Sequence, residues 1–287
     1  MKTRLPRSVD GWASGCAHGP ATAFSVGWPM PRRHRNRNRG EGRMRILVTR
    51  PADRAEALAE RLRAMGHAPL VAPTLEIEAC DAPPPEGASR AAALIATSPR
   101  AFLGAPLPPA LRARPLHAVG PASAAAAREA GFEHVEQGPS DGGALAERII
   151  ARHAPAEGPL LYLAGHHRRG DLERALRSAG FELMIWERYR AVRVATPPPD
   201  LARALASGAL DLALFHSARS AEVFADWWVR LGRPDLSMLV AVGLSPTVLV
   251  PLGDLGLRDR LAVEVPREEA LLKRLANLYG EDDGGQD

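Results

Sequence analysis

The sequence predicts an α/β protein of two lobes, each built on a parallel sheet, and three observations carry that expectation. First, one phrase recurs: Leu62-x-x-x-Gly66-His67, Arg128-Glu-Ala-Gly131-Phe132, Leu176-x-x-x-Gly180-Phe181 and Leu252-x-x-x-Gly256-Leu257, each followed by a short apolar run. A glycine just past a helix, where positive φ is required, and then a strand is the punctuation of alternating α and β elements. Helices between strands imply right-handed crossovers and parallel pairing. Second, Glu182 to Arg193 begins as an apolar strand and turns into a period-2 alternation, with Glu187, Tyr189 and Ala191 on one face and Arg188, Arg190 and Val192 on the other. Upstream, Thr74 to Ala79 alternates in the same way, with Glu76 and Glu78 opposite Leu75 and Ile77. Antiparallel pairing of the two segments sets Glu76 and Glu78 across from Arg188 and Arg190, and Leu75 and Ile77 beside Tyr189. Third, the halves echo: Thr97-Ser-Pro-Arg-Ala-Phe102 resembles His216-Ser-Ala-Arg-Ser-Ala221, and Ala118-Val-Gly-Pro-Ala-Ser-Ala124 resembles Ala241-Val-Gly-Leu-Ser-Pro-Thr247. Such self-similarity points to a duplicated lobe.

In order, Arg45 to Thr49 reads as a strand, and Asp53 is placed to cap a helix over Arg54 to Met65 whose Ala57, Leu58, Leu62 and Met65 share a face. After the Pro83-Pro84-Pro85 crossover the expected order is strand 93–97, strand 114–119, helix 122–130, strand 133–136, helix 142–153, strand 159–163 and helix 169–179. Beyond Arg193 come helix 201–207, strand 211–215, helix 218–231, strand 238–242, a helix from Ser245, strand 261–265 and helix 267–279. The lobes implied are residues 44–78 with 193–279, which form a discontinuous first lobe, and residues 82–186, which form the second. Residues 74–78 and 187–192 make a two-stranded ladder between them. Residues 1–43 read as a disordered basic extension and 280–287 as a mobile tail.

The 287 residues are 46% hydrophobic and 24% charged, enough for two modest cores. The first 43 residues hold nine Lys/Arg against two Asp/Glu, and the remaining chain is slightly acidic, so the folded part has no electrostatic footprint for nucleic acid. The extension is expected to be dispensable, or to precede the true start at Met44. Its apolar patch, Ala21 to Met30, is interrupted by Pro29 and precedes the positive charge, unlike a secretory signal. Two cysteines, Cys16 and Cys80, make no disulfide framework, and the absence of a long apolar run argues against membrane partners; the cytoplasm is the expected compartment.

Ligands of open parallel sheets bind at the carboxyl ends of strands, where free N–H groups and the helix dipole favour anions. Each helix end contributes only about 0.3 to 1 kcal/mol, so several would have to converge on a polyanion. Arg50, Arg100, Arg168 and Arg219 lie at expected strand ends and can add charge-assisted bonds. Ser98, Ser123, Ser217 and Ser245 read most simply as helix caps, a role compatible with ligand contact. His166 and His167 adjoin without a neighbouring carboxylate or cysteine, and no metal is expected there. No GxGxxG, GxxxxGK[ST] or GxSxG pattern is placed for nucleotide or acyl-transfer chemistry.

Ile46-Leu-Val-Thr-Arg-Pro51, Thr97-Ser-Pro-Arg-Ala101, Val119-Gly-Pro-Ala-Ser123, Ser140-Asp-Gly-Gly-Ala-Leu145, Leu163-Ala-Gly-His-x-x-Arg169 and Glu187-Arg-Tyr-Arg-Ala191 stand in an order and spacing that resemble the uroporphyrinogen-III synthase family, over about Met44 to Tyr279. The resemblance implies two flavodoxin-like or Rossmann-like lobes joined by a two-stranded ladder. It implies cyclisation of hydroxymethylbilane to uroporphyrinogen III with inversion of the last ring, and no metal or organic cofactor. Tyr189 matches the family's cleft tyrosine and is the expected proton donor to the leaving hydroxyl. Thr97, Gly120, Ser140, Gly142 and His166 join the four arginines and four serines as expected substrate contacts. Leu244-Ser245-Pro246 departs from the Pro-Thr-Thr of many relatives. The expected partner is the substrate, acting on a monomer, with transient contact to hydroxymethylbilane synthase left open. A two-lobed anion-binding or sensor protein without catalysis is the alternative.

Overall fold

The computed structural model describes residues 43–139 and 141–279. Residues 1–42 and 280–287, on which the expected basic extension and the expected mobile tail fall, and Ser140, an expected contact, lie outside the described residues. The first part of the chain runs β1 (Arg45–Val48), α1 (Ala52–Ala64), β2 (Ala68–Val71), β3 (Leu75–Ala79) and β4 (Ala93–Ala96). Then follow α2 (Pro109–Arg112), β5 (Leu116–Ala118), α3 (Gly120–Glu129), β6 (Val135–Gln137), α4 (Gly142–Ile150), β7 (Leu160–Gly165), α5 (Asp171–Ser178) and β8 (Leu183–Arg193). The last part is α6 (Pro199–Ala206), β9 (Leu212–Phe215), α7 (Ala218–Arg230), β10 (Val240–Gly243), α8 (Pro246–Leu249), β11 (Asp259–Ala262) and α9 (Glu268–Tyr279). Every predicted strand and long helix is present, with ends displaced by a few residues. The short helix α2 and the 3-10 turns, among them Pro99–Phe102, have too few residues to leave a periodic signal.

Two sheets result. A five-stranded sheet, all parallel, has the order β11-β10-β9-β1-β2. A six-stranded sheet has the order β3-β8-β7-β4-β5-β6 and is parallel except for β3, which pairs antiparallel with β8 at its edge. The two arrangements superimpose in order: β9-β10-β11 occupy the places of β4-β5-β6, and β1-β2 those of β7-β8. The recurring glycines sort the same way. Gly66 between α1 and β2 (φ 84°) corresponds to Gly180 between α5 and β8 (φ 85°), and Gly131 before β6 (φ 84°) corresponds to Gly256 before β11 (φ 68°). The duplication is real in space, although the pair that ends one sheet's chain begins the other's.

Each sheet is covered on both faces, which is why its central strands are apolar throughout. In the first sheet Leu47, Ala213 and Phe215 face one core with Phe224 and Trp227, while Ile46, Val48, Leu212 and Leu214 face another with Leu58 and Leu62. In the second, Leu94, Leu116, Leu161 and Trp186 lie against Leu107 and Leu111, and Ile95, Leu160 and Tyr162 against Leu145 and Leu172. Burying each such side chain contributes about 1.5 to 3 kcal/mol.

Two expectations are corrected. Asp53 does not cap α1. Pro51 occupies the cap position without a side-chain bond, and Asp53 lies in the first turn of the helix with its carboxylate turned to Arg100. The ladder pairs Leu75 with Arg193, Glu76 with Val192, Ile77 with Ala191, Glu78 with Arg190 and Ala79 with Tyr189. Glu78 and Arg190 do meet, at 2.8 Å, whereas Glu76 does not face Arg188. The reason is register: with Glu78 opposite Arg190 the antiparallel ladder carries Glu76 to Val192 and brings Arg188 opposite Cys80, whose N–H donates to the Arg188 carbonyl at 2.8 Å.

Candidate active site

In doubly wound sheets the strand order reverses between two neighbours whose crossovers go opposite ways, and the crevice opens at their carboxyl ends. In the first sheet those neighbours are β1 and β9, and in the second β4 and β7. Thr49 and Arg50 follow β1; His216 and Ser217 follow β9. The Thr49 hydroxyl donates to the Leu214 carbonyl at 2.7 Å and ties these two strand ends together. Thr97 and Ser98 follow β4, and His166 follows β7. The remaining expected contacts sit just past neighbouring strands: Gly120 and Ser123 on α3 after β5, Gly142 on α4 after β6, and Ser245 after β10.

Tyr189 on β8 stands over the switch point of the second sheet. A Cβ added at Gly165 would lie 2.6 Å from Tyr189 Cζ and 2.8 Å from its hydroxyl, so only glycine admits the ring there. Beside it the Tyr162 hydroxyl, buried, is 2.7 Å from Thr97 Oγ1. Burial pushes the Tyr162 phenol up, and Tyr189 adds to that shift while the Thr97 bond opposes it. The peptide N–H of His166 donates to the Tyr189 carbonyl at 2.9 Å, and its Nδ1 lies 2.9 Å from Glu187 Oε2. Arg168 bonds Glu187 Oε1 at 3.1 Å and Glu173 Oε1 at 2.5 Å, and also the carbonyls of Gly165 and His166.

The other arginines also have protein partners. Arg100 is bidentate to Asp53, which joins the turn after β4 to α1 of the other sheet. Arg50 bonds Glu268 at the start of α9. Burial, then the guanidiniums of Arg54 and Arg100, lower Arg50 to about 10, so it remains charged at neutral pH. Arg219 donates to the Ala191 carbonyl on β8 at 2.9 Å, and its charge reaches His167, whose imidazole is lowered first by burial and then by Arg219. The loop after β9 therefore approaches the loop after β7.

The serines divide. Ser98 accepts from the Arg100 N–H at 3.3 Å and Ser217 from the Ser220 N–H at 3.2 Å, so both cap as expected. Ser123 is buried inside α3 and is not a cap. Ser245 sits at the cap position of α8 but bonds Thr247 Oγ1 at 2.8 Å instead of the helix backbone.

Sequence reasoning missed three participants. Arg188 is buried with its guanidinium 4.6 Å from the Trp186 ring centre, donating to the carbonyls of Ala101, Leu103 and Ala105 at 3.2, 2.9 and 2.7 Å. It fastens residues 101–105, which follow the Thr97–Arg100 turn, to the strand carrying Tyr189, and carbonyl acceptors leave no trace in a sequence. Glu268 receives Arg50 and Arg61. His216 approaches Glu268 at 3.6 Å, but burial and then Arg50 push its imidazole down to about 3. It is neutral at pH 7, so the approach is no salt bridge, and both its ring nitrogens are buried without a hydrogen-bond partner. Among the described residues no group of three or more His, Cys, Asp and Glu is placed to hold a metal, and no helix is long and apolar enough to cross a membrane.

The strand ends of the two sheets, joined by Asp53–Arg100 and by the Arg219 bond to Ala191, carry guanidiniums and helix N–H groups, a combination that suits a multiply charged anion. Comparison with known proteins bears on which. No curated protein matches the chain. The crystal structure of uroporphyrinogen-III synthetase from Helicobacter pylori is similar in fold, with a TM-score of 0.54 and 18% identity over 82% of this chain and 99% of that one. A mutant uroporphyrinogen III synthase from the extremely thermophilic bacterium Thermus thermophilus is 20% identical over 83% of this chain and 100% of that one, with a TM-score of 0.46. The family described as Uroporphyrinogen-III synthase HemD matches residues 56–273, an interval containing both sheets' switch points except for β1 and its first turn. The chain belongs to the uroporphyrinogen-III synthase family.

Proposed function

We propose that this chain is the hydro-lyase that closes hydroxymethylbilane into uroporphyrinogen III in tetrapyrrole biosynthesis, with residues 44–78 and 193–279 acting as one lobe and 82–186 as the other. The observation that carries the reading is the meeting of the two switch points, spanned by Asp53 and Arg100, with Tyr189 over one of them. The substrate carries eight carboxylates and ionises with little help. Loss of the terminal hydroxyl as water leaves an azafulvenium cation, and attack through the substituted carbon of the last ring gives a spiro intermediate. Unassisted closure gives the wrong isomer, so the catalyst's task is to fold the chain and shield the cation, which is work for positioning and preorganised dipoles.

In this reading Tyr189 donates the proton to the departing hydroxyl, since a phenol is a usable donor and a reluctant base at neutral pH. Thr97, Ser98, Ser140, Ser217 and Ser245 offer hydroxyls to the carboxylates, and Gly120, Ser123 and Gly142 bring helix N–H groups close. Arg50, Arg100 and Arg219 exchange one of their present partners for substrate, while Arg168 and His166 meet it with atoms their present partners leave free. The enzyme acts as a cytoplasmic monomer and receives its unstable substrate from hydroxymethylbilane synthase. Incubation with fresh hydroxymethylbilane, followed by oxidation and separation of the porphyrins, tests the activity: the type III isomer is expected, and type I alone would refute it.

A further inference from the structure

Conversion of the open chain to a ring with loss of water requires two proton movements. One proton goes to the hydroxyl that leaves, and one departs from the ring carbon at the other end of the chain, where the last carbon–carbon bond forms. Tyr189 serves the first movement; the second needs an acceptor at the same strand ends. The geometry points to His166 as the catalytic base of the closing step, with Glu187 as the residue that positions it. This inference rests on the reaction proposed above.

Three features carry it. The carboxylate of Glu187 can only accept, so His166 Nδ1, at 2.9 Å, carries the hydrogen, and the tautomer selected by that bond has its lone pair at Nε2. The His166 bond in turn holds Glu187 below the usual carboxylate range, so the carboxylate stays ionised. Second, the support behind the ring is fixed at every stage: Glu187 by Arg168 at 3.1 Å, Arg168 by Glu173 at 2.5 Å and by two carbonyls of its own loop. No described residue hydrogen-bonds Nε2, and the side chain is 55% exposed at the switch point. Third, the His166 peptide N–H bonds the Tyr189 carbonyl at 2.9 Å, which sets the residue just past β7 beside the proposed donor on β8. A base held by an orienting group, with its free atom toward the crevice, is the arrangement expected of a proton acceptor.

In the step, the spiro intermediate opens as the bond between the last ring's substituted carbon and its original methylene breaks, leaving that methylene cationic on the neighbouring ring, and the free carbon of the last ring attacks it. The new bond forms from the ring's π electrons, the hydrogen on that carbon leaves as a proton to His166 Nε2, and the C–H electron pair restores the aromatic pyrrole. With the hydroxyl already gone as water, nothing is oxidised or reduced, and the imidazolium returns its proton to solvent.

The test uses the full chain and hydroxymethylbilane carrying either hydrogen or deuterium at the free carbon of its terminal ring. His166→Asn keeps a donor for Glu187 and lacks the distant nitrogen. It is expected to lower kcat about 10²-fold, with KM within about twofold, to show a primary isotope effect at that carbon, and to regain part of its rate with added imidazole. Glu187→Gln, which preserves the shape, is expected to lower kcat about tenfold. Circular dichroism and thermal unfolding establish that both variants fold. An unchanged kcat in His166→Asn, a loss carried by KM alone, or a loss with neither isotope effect nor rescue overturns the assignment while leaving type III synthesis by the wild type intact. Failure of the wild type itself to form the type III isomer removes the underlying reaction, and this proposal with it.

Discussion

Arg100 holds Asp53 with two parallel bonds, Nε to Oδ2 and Nη2 to Oδ1, each 2.8 Å long. One partner stands in the turn after β4 and the other in the first turn of α1, so the pair spans the two sheets at the point where their crevices meet. In the proposed binding role of Arg100, Asp53 is the carboxylate with which the substrate's own carboxylates compete. Because the pair is partly exposed it adds less than about 1 kcal/mol to stability. Asp53→Asn should therefore leave the unfolding midpoint nearly unchanged and lower KM for hydroxymethylbilane about threefold, by freeing Arg100 and removing a negative charge. Initial rates against substrate concentration check this; a raised KM would show that Asp53 holds the lobes productively instead.

Removal of the Tyr189 hydroxyl tests its role as donor. Tyr189→Phe should lower kcat about 10²-fold with little change in KM. Gly165→Ala should act in the same direction by a different route, since its methyl would sit 2.6 Å from the Tyr189 ring and displace it. Full activity in the phenylalanine variant would end the proposed role for the phenol.

Arg188 should be worth more to stability than to chemistry. Arg188→Met keeps the apolar stem but strands three carbonyls, and a cost of about 3 kcal/mol is expected. Urea unfolding at neutral pH measures it. A cost below about 1 kcal/mol would mean that water replaces the guanidinium without strain.

Two buried imidazoles set an acid limit. Burial first, opposed by Glu136 and reinforced by His153, pushes His117 down to about 4, and His216 stands at about 3. Both are cationic when protonated and bind protons less readily folded than unfolded, so the unfolded chain takes up protons first as the pH falls. Stability is full above about 6.5 and drains as the pH falls from there toward 4, by on the order of 3 kcal/mol for each group. Urea midpoints between pH 7 and 4.5 should fall steeply, and His117→Leu should flatten the slope.

The apolar runs and helix-ending glycines made the sheets legible, because a strand buried on both faces must be apolar throughout and a helix must end somewhere. The same logic located Arg50, Thr97, Ser98, His166 and Ser217 at strand ends. Partners were harder. Asp53 looked like a cap because caps are local, whereas its true partner is 47 residues away. Arg188 looked like an ion-pair partner across the ladder because alternation fixes only the face of a side chain, while its actual acceptors are carbonyls more than 80 residues upstream. His216 and Glu268 meet only through tertiary folding, and no spacing announces them.

The permuted order of the first sheet has a consequence for how the protein comes off the ribosome. Strands β4 to β8 emerge as one uninterrupted series and can complete their sheet on their own, whereas β1 must wait for β9, its partner across more than half the chain, with Val48 opposite Leu214. The half that carries Tyr189 can thus be finished while the other half is still an incomplete pair of strands. The crevice that needs both is the last thing the nascent chain acquires.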